Sequence, residues 1–542
     1  MVQLPPVLES LKERGVLRCG IIPEGNGFSR VNDETGVREG IEIDFCKAIA
    51  AASLGENSRY EFIGVSPSNR FVTLASGAVD LVIAATTHTM ERDIYQPSAK
   101  TGFTFSTPYL YGGIAFGGIP EYLACADELN VVGDCAGLMI CVIPGTTWMD
   151  VVQALFPRSN VVVVAEQSNY LEGLINGFCN VIVGEQFDVP ELAVRLLGYE
   201  GPYASGKNIF SRDPLAIVTR DYDPEFSDFA NWVLQGLFNA EAQNITMETA
   251  DTFAETEIFG DQYKNMFKNA LAAVGNYGEI YARNLEKILP RLTVNMINNG
   301  DTGVLYSHPF GDVGTIGPGP IKGGMIESII QRGYIRCGIT LPDYQGILED
   351  DQVGSITDER VVLDMEFCRV LSACVFDGVS DKISFESFPE TGGYDTISLA
   401  LENGEIDVFA GGEVRMSGDV RRPGLSFSKP YFYEVPDGNS GTTRAFSLVT
   451  KDDDSQWTGF VYWAIIATFY AEENGIIQAT SNKMPLTNLF GSDFMRMLRD
   501  IIIAVGNYGE IHQRVFGQNS TRVGLNALNS GASPQHYPLP LE

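Results

Sequence analysis

Three groups of residues in this chain stand where chemistry could be done, each at the end of an apolar run. The stretch TTHTMER (86–92) follows VDLVIAA (79–85) and closes on Arg92. If that run is a parallel strand, Thr87 and Arg92 project from its carboxyl end, where α/β sheets hold ligands, and a guanidinium suits bidentate capture of a carboxylate. A surface arginine at a helix start is the plainer alternative. PGTTW (144–148) follows LMICVI (138–143) and opens a helical pattern, so backbone N–H groups and the hydroxyls of Thr146 and Thr147 could grip an anion, although an ordinary helix N-cap explains it equally well. Glu185 ends NVIVGE (180–185) and could balance a ligand ammonium or be a solvated carboxylate at a strand end.

Bond-making signatures fail on inspection. GPYASGKN (201–208) has phosphate-loop spacing but ends in Asn208, where Ser or Thr should hold magnesium, and no apolar strand precedes it. GxSxG, HExxH and alternating-acid calcium loops are missing, and His88, His308, His512 and His536 are scattered, with no CxxC to make a zinc cluster. No metal or cofactor is expected.

The elements that must position these residues occur in two copies. AVGNYGEI is found at 273–280 and again at 504–511. RGVLRCG (14–20) pairs with RGYIRCG (332–338) at an offset of 318, and FSTPY (105–109) with FSKPY (427–431) at an offset of 322; from VTRD (218–221) and VTKD (449–452) onward the offset is 231. The fall from 322 to 231 means that copy two lacks 91 residues that copy one carries in its middle. Short apolar strands alternate with helical patterns in both copies, which predicts α/β cores with parallel sheets covered on both faces. The segment unique to copy one is itself α/β and is bounded by YGGIAFGG (111–118) and PLAIVTRD (214–221), placed to act as a two-strand hinge. The expected organisation is a first lobe at 1–112 and 214–310, an inserted second lobe at 113–213, a Gly- and Pro-rich linker at 311–322, and a degenerate single-lobe copy at 323–542. Two sheets facing each other across a cleft suit a small ligand.

At 542 residues three folding units are a reasonable count, and 44% hydrophobic content is ample for their cores. A formal net charge of −32 opposes nucleic acid or an anionic membrane surface as partners. The longest apolar run, GFVYWAIIATFYA (459–471), is too short for a membrane span, and its counterpart carries Asn231, Gln235 and Asn239, so it reads as a buried helix. No secretory signal precedes the first helix, and the terminal Leu541-Glu542 pair often remains ahead of an affinity tag, so a trimmed signal peptide is expected. Cys19 and Cys46 recur as Cys337 and Cys368, while Cys125, Cys135, Cys141 and Cys179 all fall within the segment that copy two lacks. Duplication and loss in pairs suggest four disulfides, Cys19 with Cys46, Cys125 with Cys135, Cys141 with Cys179 and Cys337 with Cys368, leaving Cys374 over. Nine buried thiols in a cytosolic protein are the alternative.

RGVLRCGI, GIEIDFCKAIA, TTHTMER, ICVIPGTTW, NGFCNVIVGEQ and AVGNYGEIYARN resemble the periplasmic general L-amino-acid-binding proteins that feed ABC transporters, within the family 3 solute-binding proteins. The resemblance implies a periplasmic-binding-protein type II fold, a two-lobed Venus-flytrap module, followed here by a single-lobe α/β module. It implies a free L-amino acid as ligand, an ABC permease or another extracellular protein as partner, and a periplasmic or secreted location. It assigns the α-carboxylate to Arg92 with Thr87 in support, the second-lobe turn to Thr146 and Thr147, the α-ammonium to Glu185, where the family usually has Asp, and contact with the ligand side chain to Phe28. In copy two the position of Thr87 has no hydroxyl and the arginine survives at best as Arg421. A binding-degenerate interaction protein is the first rival reading; a dehydratase or murein-cleaving lyase on the same scaffold is the second.

Overall fold

The computed structural model describes all residues except 1–3, 24, 33, 56–57, 166–167, 342–344, 390–392, 415–423, 436–442, 532, 540 and 542. Arg421 therefore lies outside the described residues. The chain forms two compact units, one of Met1–Thr89, Thr104–Glu255 and Asn265–Ile297, the other of Met90–Phe103, Thr256–Lys264 and Asn298–Glu542. The boundary at Thr89 falls inside TTHTMER.

The first unit opens with the helix Val7–Arg14, which buries Val7, Leu8 and Leu11 and stops at Gly15 in the left-handed region (φ 67°). Strand Leu17–Ile21 lies between Tyr60–Gly64 and Leu81–Val82, parallel to both. The helix Ile41–Leu54 buries Ile41, Phe45, Ala48 and Ile49, whose helical spacing in the sequence marks that face. Its Cys46 is bonded to Cys19 of the central strand, with a Cα separation of 6.3 Å. Asp80 anchors the start of the sheet by accepting from Arg14 and Arg18 at 2.5 and 2.8 Å. Copy two repeats the cluster with Asp407, Arg332 and Arg336.

The expectation of wholly parallel sheets is corrected. Val218–Arg220 runs antiparallel to Leu81–Val82 because the chain re-enters this sheet from the inserted lobe. In that lobe Val161–Val163, Ile140–Val142 and Val181–Glu185 are parallel, whereas Ile114–Gly118 joins Val181–Glu185 antiparallel. The apolar run at 79–85 also yields only a two-residue strand, Leu81–Val82. It ends early because Ala85 takes a positive φ of 42° and bends the chain. Disulfides join Cys125 to Cys135 and Cys141 to Cys179.

In the second unit a seven-stranded sheet is built on Ile335–Thr340, flanked by Ile383–Phe388 and Val408–Glu413, with Cys337 bonded to Cys368. Cys374 is a buried free thiol. The missing lobe leaves a clear trace. In copy one the hinge strands Leu110–Gly112 and Asp213–Leu215 pair Gly112 with Asp213. In copy two Phe432–Glu434 and Arg444–Lys451 keep that register, with Glu434 opposite Arg444. Arg444 bonds Glu434 at 3.0 Å and Glu413 at 3.1 Å, so ion pairs stand where copy one continues into a lobe. The helix Ser455–Glu473 buries twelve of its nineteen residues, and no helix among the described residues is long and apolar enough to cross a membrane.

Candidate functional site

The first unit contains five of the six residues singled out by the sequence. Thr86 to His88 run antiparallel to the return strand: the Ala216 N–H donates to Thr86 O at 3.0 Å, the His88 N–H to Pro214 O at 2.8 Å, and Thr87 faces Leu215. The bend ahead of them is fixed by side chains buried beneath it. Glu42 Oε1 accepts from the Ala85 N–H at 2.5 Å and from the Tyr109 hydroxyl at 2.9 Å. Arg70 donates to Ala84 O at 2.9 Å. Burial pushes Glu42 up to about 8, against the pull of those hydrogen bonds and of the nearby Arg70.

Arg92 is buried at 5% exposure on the short helix Met90–Ile94, which belongs to the second unit. Its place at the end of TTHTMER is thus a matter of sequence, while its helix packs within the second unit.

In the inserted lobe Gly145 (φ 78°) turns the chain into the helix Thr147–Leu155. A Cβ at Gly145 would press on the Pro67 carbonyl of the first lobe at 3.1 Å. Thr146 sits at the N-cap, but its hydroxyl donates to Ile143 O at 2.7 Å and no side chain caps the helix. An ordinary N-cap therefore does not account for PGTTW. Both Thr146 and Thr147 are buried. Glu185, at 1% exposure, ends its strand and accepts from the Trp148 indole N–H at 3.2 Å. Its carboxyl group lies against Gly112 so closely that no Cβ fits there. Burial, and after it the neighbouring Asp213 carboxylate, raises Glu185 well above the usual carboxylate range.

Side-chain contacts between the lobes include two near the site. The Asn26 amide donates to Ala193 O at 2.9 Å, and Phe28 meets Phe187 edge to face at 5.9 Å between ring centroids. Phe28, at 4% exposure, is thereby joined to the residue two positions beyond Glu185. The structure brings together Thr87 and the return strand, Trp148 with Glu185, and Phe28 with Phe187. Asn26, Asp213 and Phe187 were not singled out by the sequence: Asp213 matters only through the ladder that sets it opposite Gly112, and Asn26 and Phe187 only through contacts between lobes. Among the described residues no cluster of three or more His, Cys, Asp or Glu could hold a metal.

A two-lobed α/β unit whose lobes meet over buried hydroxyls, an indole and a carboxyl group is the architecture of a solute-binding module. Residues 17–117 match the bacterial extracellular solute-binding proteins, family 3. The chain is 28% identical over 327 residues to the putative amino-acid ABC transporter-binding protein YhdW of Escherichia coli K12, covering 56% of this chain and 92% of that one. It is 27% identical over 327 residues to the general L-amino acid-binding periplasmic protein AapJ of Rhizobium johnstonii, with the same coverages. To the glutamate/glutamine/aspartate/asparagine-binding protein BztA of Rhodobacter capsulatus it is 27% identical over 330 residues, covering 56% and 93%. Among solved structures, a Brucella ovis ABC transporter periplasmic binding protein with glutathione bound is 28% identical, with a TM-score of 0.46 over 53% of this chain and 93% of that one. The chain is thus related to the amino-acid-binding solute-binding proteins of ABC transporters, over about half its length. These relatives are binding proteins, not enzymes.

Proposed function

We propose that this chain is an extracytoplasmic solute-binding protein whose first copy captures one free L-amino acid between its two lobes. The observations that support the reading are the burial of Thr87, Thr146, Thr147, Trp148 and Glu185 within the first unit, the Trp148 bond to Glu185, and Phe28 on Phe187 spanning the lobes. Kinship with amino-acid-binding proteins adds the ligand class. In this reading Arg92 and Thr87 take the α-carboxylate, the Thr146 and Thr147 turn meets the same end from the inserted lobe, Glu185 takes the α-ammonium, and Phe28 contacts the side chain. Glu185 takes that role as a carboxylate, since a neutral carboxyl group cannot balance an ammonium, against the burial and the Asp213 carboxylate that favour its protonated form. An ABC permease is the partner this reading implies, with the periplasm or exterior as location. The four disulfides fit an oxidising compartment. Copy two is assigned no ligand: Glu413 stands opposite Phe446 as Thr87 stands opposite Leu215, and the opposing lobe is missing. Calorimetry with the twenty proteinogenic L-amino acids tests the proposal, and silence across the whole panel would end it.

A further inference from the structure

Up to Asn295 and Asn526 the two copies hold their chains in the same way. The Tyr111 N–H donates to Asn295 Oδ1 at 2.7 Å and the Asn295 amide donates back to Tyr111 O at 2.9 Å; Tyr433 and Asn526 repeat both bonds at 2.8 and 2.6 Å. Beyond them, 298–310 and 529–541 are equivalent segments at the offset of 231, with Asn298 matching Asn529 and Leu305 matching His536. Both belong to the second unit, and they meet each other. The Asn298 N–H donates to His536 O at 2.8 Å, and the Asn529 N–H donates to Leu305 O at 2.8 Å. Each bond is the other with the copies exchanged. Leu305 bridges Leu528 in parallel, and the Asn298 amide donates to Pro534 O at 2.8 Å. No Cβ fits at Gly303 against the Ala527 carbonyl, so the close approach of the two backbones calls for glycine there. A contact in which residue i meets j, and the equivalent of j meets the equivalent of i, is the isologous kind that two identical subunits make.

Past this pairing the copy-one tail runs over the copy-two helix Ser455–Glu473. Lys429 donates to Tyr306 O at 2.5 Å, and His308 Nδ1 lies 3.2 Å from the Tyr462 hydroxyl. The Phe310 ring centroid stands 4.7 Å from that of Tyr470 and 6.0 Å from that of Trp463. Tyr306, His308 and Phe310 are all buried. The receiving side of the helix differs from its counterpart in copy one. Tyr462, Ile466 and Tyr470 stand where copy one has Asn231, Gln235 and Asn239, and Lys429 stands for Thr107. Those helix positions recur every three or four residues and share one side. In copy one Asn231 accepts from the Thr107 N–H at 2.8 Å and Gln235 donates to the Thr107 hydroxyl at 3.0 Å, whereas the copy-two side is apolar and aromatic and carries the tail.

We propose that this tail is a self-complementary docking element: the chain is a fused pair of modules, and the partner its tail fits is a second module of the same fold carrying the same tail. Fusion keeps the two tails at high effective concentration, but the reciprocal bonds and the seat of Phe310 are what hold them together. Copy two has this role whatever the first copy binds, so the inference stands apart from amino-acid capture.

The test cuts the full chain rather than shortening it. A recognition sequence for a sequence-specific protease is placed after Ile316, which is 76% exposed in the segment between the copies. After cleavage under native conditions, 1–316 and 317–542 should stay together as a one-to-one complex by native mass spectrometry, and separation on cutting overturns the proposal. Because Met90–Phe103 and Thr256–Lys264 also belong to the second unit, the share of the tail is read from Phe310→Ala. That variant should raise the dissociation constant of the cut complex by about a hundredfold or more, as for a large ring removed from a packed face. Phe156→Ala, in the core of the inserted lobe, is the control and should leave the constant unmoved. Equal constants in the parent and Phe310→Ala, or equal losses in the two variants, overturn docking through the tail. Hydrogen exchange in the cut parent tests the pairing without any variant. Amides 298 and 529 should both remain as protected as in the uncut chain, and loss of protection at either overturns the self-complementary contact.

Discussion

At the scale of single residues, buried carboxyl groups govern the chemistry. Glu42 has an ordinary value of 4.5 and is raised to about 8 in the fold. A group shifted in that direction favours the folded state fully below its unfolded value, and the contribution is lost as pH climbs through the folded one. The melting temperature should therefore fall between pH 5 and pH 8, and by less in Glu42→Gln, whose amide oxygen can still accept from Ala85 and Tyr109. An unchanged pH slope in the variant would remove Glu42 from the account. Glu185 makes a second case, since an amino acid that needs its ionised form must drive off a proton. Binding heats should then differ between phosphate and Tris buffers in proportion to buffer ionisation, and affinity should rise with pH; buffer-independent heats would show that binding does not deprotonate Glu185. Arg92→Ala should cost roughly 2–5 kcal/mol of binding, about 30-fold to several thousandfold. Retained affinity in a calorimetric titration would exclude Arg92 from the site.

At the scale of elements, the disulfides and the glycines packed against them set the tolerances of each lobe. Gly173, on the helix Ser168–Asn176, faces both sulfurs of the Cys141 and Cys179 bridge, and a Cβ there would stand 2.7 Å from each. Alanine ordinarily favours a helix by about 1 kcal/mol over glycine. At this position overpacking should win, and Gly173→Ala should destabilise the chain by about 1–3 kcal/mol in a urea titration; a stabilised variant would contradict the packing. The four bridges were legible in the sequence because Cys19 with Cys46 recur together as Cys337 with Cys368, while the four cysteines of the segment that copy two lacks sort by position, Cys125 close to Cys135 and Cys141 with Cys179 at its ends. Helix Ile41–Leu54 was legible from its period. The bend at Ala85 was not, since nothing in an apolar run announces a positive φ, which here is held by Glu42 and Arg70 from distant elements. The carboxyl pair of Glu185 and Asp213 was equally hidden, because it follows from the register of the returning antiparallel strand.

At the scale of the whole molecule, a repeat in sequence does not map onto the compact units. TTHTMER reads as one motif, yet its last three residues pack with copy two. Which core receives a short helix is decided by tertiary contacts such as Trp463 with Asp93, and these have no local signature. Residues 323–542 expressed alone would leave Tyr462, Trp463 and Tyr470 without the segments that cover them. Such a fragment should associate in a concentration-dependent way by sedimentation, whereas a clean monomer would show that the face is not sticky.

The central claim is that one cleft, in the first copy, binds one free amino acid. Its most direct measurement is the stoichiometry of the intact chain with the tightest-binding member of the twenty-amino-acid panel, by native mass spectrometry checked against calorimetry. The account predicts one bound amino acid per chain, lost in Arg92→Ala; no adduct with any amino acid, or two per chain, would contradict it.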